Sequence, residues 1–184
     1  MNWKKWDDVK QFWKDTKRGV RITLGSILVF FGALTAYQLV PEQVDIPAHT
    51  VMADGSWMLL NRTTITVENV SMIIEPGYDQ WDGLSIPSFV TNGLQITRYD
   101  YPLESLWHDV GYSILDKNGR GPLTKAFVDE GLRQLLVEHG CVPIKALAVK
   151  DAVDAWGFSA IRRHTPESVA KARSHVTIIT NSFR

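Results

Sequence analysis

The sequence predicts an α+β fold: an N-terminal transmembrane helix followed by a small antiparallel sheet packed with about three helices. Three observations predict it. Residues 22–40, ITLGSILVFFGALTAYQLV, contain no formally charged side chain. Short runs rich in Ile, Val, Thr and Met then follow between residues 56 and 75, separated by polar turn residues. Further on, apolar residues recur at three-to-four spacing over longer segments. Strands grouped ahead of helices indicate α+β rather than a doubly wound sheet, which would alternate them.

The totals bound the function classes. A chain of 184 residues accommodates one ordinary domain plus an anchor. Lys+Arg and Asp+Glu both total 20, so there is no basic excess with which to displace counterions from phosphates, and no nucleic-acid partner is expected. Cys141 is the only cysteine, which rules out an intramolecular disulfide and a thiolate zinc cage.

In residues 1–21, Trp3, Trp6, Val9, Phe12 and Trp13 fall on one helical face, with Lys4, Asp8, Asp15 and Arg18 opposite. Tryptophan favours the headgroup zone and basic side chains are drawn to anionic lipid, so this segment is expected to lie on the cytoplasmic surface of a lipid bilayer. At 1.5 Å per residue, residues 22–40 are just long enough for a hydrocarbon core of roughly 30 Å. A cleaved signal peptide fits less well, because its apolar region is shorter and a cut after Ala36 would place bulky Leu34 two residues upstream. A buried core helix would show the polar face that this segment lacks.

Lys4, Lys5, Lys10, Lys14, Lys17, Arg18 and Arg21 precede the apolar run, and residues 41–51 contain no Lys or Arg. The positive-inside rule therefore predicts a single-pass protein with a cytoplasmic N-terminus, its C-terminal domain in the periplasm or beyond a virion membrane. Residues 41–50, with Pro41 and Pro47, read as a linker, and residues 51–184 as a soluble domain. Within it the predicted strands are 56–61, 64–68 and 71–75, forming a meander, with a final strand at 176–180. The predicted helices are 103–115, 123–139 and 144–156, with Gly140 and Gly157 as C-terminal stops.

Three stretches carry groups suited to chemistry. The turn-dense segment 75–87 offers Asp82 and Ser85 as hydrogen-bonding or ligand groups, although Asp-Gly and Ser also form turns for backbone reasons. In 102–112, Glu104, His108 and Tyr112 lie four apart on one helical face. A carboxylate can thus orient the imidazole, with Asp109 about 100° around the helix. In 125–133, Asp129 can pair with Lys125 and Arg133 at helical spacing, as on a solvated ion-pair face. There is no Gly-x-Ser-x-Gly elbow, His-Glu-x-x-His or phosphate-cradling glycine loop.

Together these stretches resemble an uncharacterised domain family of tailed-phage and prophage genomes. Its pattern is a Gly-aromatic-x-x-Asp-Gly-x-Ser-x-Pro loop, then His-Asp-x-x-Tyr, then a helix bearing Asp. Gly77, Tyr78, Asp82, Gly83, Ser85 and Pro87 match the loop, with one extra residue before Asp82; His108, Asp109 and Tyr112 match the second motif and Asp129 the third. The resemblance covers about residues 73–157 and implies a phage or prophage origin and a common fold. It carries no established reaction, and an anchor is not usual in the pattern.

If these residues converge, the layout available to a hydrolase uses His108 with Asp82, Asp109 or Asp129, assisted by Tyr112 or Glu104. Asp82, His108 and Asp129 could supply oxygen and nitrogen ligands to a divalent metal such as Zn. The expected function is a membrane-anchored phage envelope or virion protein that binds or hydrolyses cell-wall peptidoglycan during penetration or lysis. The alternative is a non-enzymatic anchor that docks other virion or envelope proteins.

Overall fold

The computed structural model describes residues 46–84, 86 and 88–181. The basic segment, residues 22–40 and Ser85 lie outside these. No helix among the described residues is long and apolar enough to cross a membrane.

The fold is α+β, with two antiparallel sheets among the described residues. One pairs β1 (His49–Val51) with β2 (Trp57–Leu59); the other has the order β3 (Thr63–Val67), β4 (Val70–Ile74), β5 (Val176–Thr180). In β4, Val70, Met72 and Ile74 point inward while Ser71 and Ile73 are half-buried, the period-two alternation of a sheet with one covered face. β5 runs antiparallel beside β4, placing Val70 opposite Thr180 and Ile74 opposite Val176.

The helices are α1 (Ser88–Leu94), α2 (Pro102–Ser113), α3 (Lys125–Glu138), α4 (Pro143–Ile161) and α5 (Pro166–Ser174). Proline opens α2, α4 and α5 at a position where its missing N–H costs no helical bond. Thr124 caps α3 by accepting from the Phe127 N–H at 3.2 Å, and Thr165 and Ser168 form a reciprocal capping box on α5. The core is continuous from Met72 and Ile74 of the sheet to Leu106, Trp107, Leu132 and Leu136 of α2 and α3.

Four expectations are corrected. The predicted linker ends in a strand, because His49 pairs with Leu59. The strand in 56–61 joins this separate sheet, not a meander with β3. Gly157 does not stop α4, which continues to Ile161. Among the described residues there are five helices, not about three, as α1 and α5 were not foreseen.

A cleft around His108

The segment 75–87 is fixed onto α2 by its aromatic residues. The Tyr78 hydroxyl donates to Ser113 Oγ at 2.9 Å, and Trp81 Nε1 donates to Ser105 Oγ at 2.9 Å; both rings are fully buried. Asp82 and Gly83 follow directly. Gly83 has a φ of +87°, and a Cβ there would meet the Arg98 carbonyl oxygen at 2.5 Å, so the turn needs glycine twice over. Arg98 holds the turn from outside, donating through Nη2 to the Asp82 carbonyl and to the Gly55 carbonyl at 3.2 Å. Its guanidinium also lies over the Trp57 and Tyr99 rings.

The clamped turn aims the Asp82 N–H at Asp109 Oδ2, 3.2 Å away. Asp109 Oδ1 in turn lies 3.6 Å from His108 Nδ1, slightly beyond a hydrogen bond. On the other side of the ring, His108 Nε2 comes within 3.3 Å of Asp129 Oδ1 without hydrogen-bond alignment. The imidazole thus sits between two carboxylates and is bonded firmly to neither.

Asp129 is fully buried and well satisfied. Its Oδ1 accepts from the Tyr112 hydroxyl at 2.7 Å and its Oδ2 from Lys125 Nζ at 2.6 Å. Lys125 also contacts the Val153 carbonyl and Asp154. Gly157 of α4 makes room, since a Cβ there would collide with the Tyr112 hydroxyl.

The electrostatics follow. Burial pushes the Asp129 carboxyl up, but His108, Lys125 and Tyr112 more than reverse this and hold it well below the ordinary carboxylate range. Burial raises the Tyr112 phenol, and its bond to Asp129 raises it further, so it remains protonated. For His108, burial opposes the charge, but Asp109 and Asp129 outweigh it and raise the pKa above 6.5. A raised histidine pKa contributes stability that is complete below 6.5 and lost as pH rises through the folded value. We therefore expect the His108 ring protons, followed by NMR, to titrate with a midpoint above 6.5 and to move down in Asp109→Asn. A wild-type midpoint below 6.5 would mean that burial dominates.

Above this arrangement opens a cleft of about 750 Å³. Asp82, His108, Asp109 and Tyr112 line it together with Trp81, and α4 forms the facing wall through Val153, Trp156 and Gly157. Asp129 lies behind His108, out of the lining.

Several expectations change here. Glu104 does not orient His108: it is buried and accepts from His139 Nδ1 at 2.6 Å, beyond the end of α3, so Asp129 is the carboxylate beside the ring instead. Arg133 does not join Asp129 but donates to Glu130 through Nε at 2.7 Å, and the Lys125–Asp129 pair is buried rather than solvated. Tyr112 is committed to Asp129 and is not placed to shuttle protons.

The metal set Asp82, His108 and Asp129 does not fit either. Both Asp129 oxygens are engaged, and among the described residues no group of three or more His, Cys, Asp or Glu side chains could hold a metal ion. Arg98 and Trp156 escaped sequence reasoning because neither falls in a motif, although the lone Arg among aromatic residues 98–101 was a signal. Comparison with protein-family models, curated proteins and solved structures finds no match to this chain, so the chemistry open to the cleft follows from its own side chains.

Proposed function

We propose that the chain is a membrane-anchored phage or prophage envelope protein whose exported domain hydrolyses cell-wall peptidoglycan, with His108 as the acid–base group. The observation that carries this reading is an open cleft over a histidine held between two carboxylates. The uncharged run at 22–40 behind a basic leader, and the resemblance to a phage domain family, supply the location and the substrate class.

The negative Asp129 favours a proton on Nε2, leaving the Nδ1 lone pair beside Asp109. A water held there gives its proton to Nδ1 as its oxygen attacks the carbon of the scissile bond. The resulting imidazolium, stabilised by Asp109 and Asp129, returns the proton to the leaving group, so that one water is added across the bond. Asp109 orients the water, the Asp82 N–H holds Asp109, and Arg98 holds the Asp82 turn.

The test is release of soluble fragments from purified peptidoglycan sacculi by the full-length chain in detergent. Release is expected; sacculi left intact would exclude the catalytic reading. A second reading, a non-enzymatic anchor docking virion or envelope proteins, is favoured by the buried Tyr112–Asp129–Lys125 network, which is the kind of satisfied polar cluster that fixes a fold.

A further inference from the structure

Arg163 and His164 follow the C-terminal end of α4, their N–H groups bonded back to the Ala160 and Ile161 carbonyls, and line the cleft that contains His108. The Arg163 side chain is exposed and has no hydrogen-bond or ion-pair partner among the described residues. His164 is half-buried and donates from Nδ1 to the Leu115 carbonyl at 2.9 Å, which leaves Nε2 as its remaining polar atom. The other charged side chains lining the cleft, Asp82 and Asp109, are both acidic and lie at the His108 end. The cleft is therefore polarised along its length, with acid at one end and a cation without a counterion at the other.

Two helices give the length. The Tyr112 hydroxyl abuts Gly157, and from there α4 rises about 6 Å to its end at Ile161, with Arg163 in the turn just beyond. Along α2, His108 to Ser113 rises about 7.5 Å, and Leu115, whose carbonyl accepts from His164, lies two residues farther on, about 10 Å in all. Between the two ends the α4 wall consists of small or apolar residues apart from Ser159, with Trp156 half-exposed on it.

We propose that Arg163, backed by His164, is the specificity-determining anchor for a carboxylate on the substrate, about 10 Å from the bond presented to His108. This rests on the reading of the cleft as a hydrolytic site. At about 3.3 Å per extended residue, that distance corresponds to roughly three residues of peptide, so the fitting ligand is a short peptide with a free C-terminal carboxylate. Its body lies along Trp156, and its carboxylate is gripped by the guanidinium fork.

The test measures binding to the full-length chain in detergent, using the tripeptide acetyl-Ala-Ala-Ala as the free acid and as its C-terminal amide, with His164 ring signals as a second readout. The acid is expected to bind about ten-fold or more tighter than the amide and to shift His164. Arg163→Gln, an exposed substitution, is expected to abolish the preference. Equal binding of acid and amide by the wild type, including no binding of either, would overturn the anchor, as would a preference that survives in Arg163→Gln. Discrimination between the peptides without turnover of sacculi would leave the anchor standing and remove the wall reading. Turnover of sacculi with no peptide discrimination would do the reverse.

Discussion

Asp129→Ala is expected to destabilise the domain by about 3–5 kcal/mol, because it strands a buried ammonium. Lys125 is only 10% exposed in its side chain, and its shortest ion pair, at 2.6 Å, is with Asp129; Asp154, at 3.4 Å, is a weaker substitute. The Tyr112 hydroxyl loses its acceptor in the same change, leaving only a long 3.4 Å contact to the Val153 carbonyl. Urea denaturation measures the loss. The double variant Lys125→Met with Asp129→Ala should recover part of it, since the uncompensated charge is then gone. A single variant within about 0.5 kcal/mol of wild type would show that the network does not hold α2, α3 and α4 together.

The pH dependence of this variant has a definite sign. The Asp129 pKa is depressed on folding, so its contribution is complete above the ordinary value of 3.8 and is lost as pH falls through the folded one. The gap between wild type and Asp129→Ala should therefore be constant near neutrality and narrow only below about pH 4.

Much of the domain was legible in the sequence where the signal was periodic. β3, β4 and β5 follow from short runs rich in β-branched residues, and α2 and α3 from apolar spacing, with Gly140 just past the end of α3. Where structure depends on a distant partner, local pattern was silent. His49–Val51 is a strand only because residues 57–59 lie beside it. Gly157 looks like a helix stop, but serves instead to admit the Tyr112 hydroxyl between α2 and α4. α5 was an avoidable omission, since Thr165-Pro166 followed by Ser168 is a readable start signal.

The same division runs through the site. Helical spacing correctly placed Lys125 on Asp129, whereas it set Asp109 about 100° around the helix from His108, and the fold brings its Oδ1 to 3.6 Å from Nδ1. The same spacing put Glu104 on the His108 face, but could not foresee that His139, from the far end of α3, would take that carboxylate. Spacing along one helix reports which side chains share a face. It does not report which neighbouring helix delivers the better partner. Arg98 and Arg163 act through the carbonyl and the cleft they meet in the fold, and lone arginines carry no motif.

His108→Ala tests the central claim most directly, provided turnover of sacculi and unfolding are measured on the same variant. The imidazole has no strong hydrogen bond to lose, only the 3.3 Å and 3.6 Å approaches to Asp129 and Asp109, and it borders an open cleft that water can refill. A positioned acid–base group is worth about 10²–10⁴ in rate. The account predicts that, at a pH above the His108 titration, release of wall fragments falls by that factor while the unfolding midpoint stays close to wild type. Turnover retained at the wild-type rate, or a domain unfolded as severely as Asp129→Ala, would contradict it and make His108 a part of the scaffold.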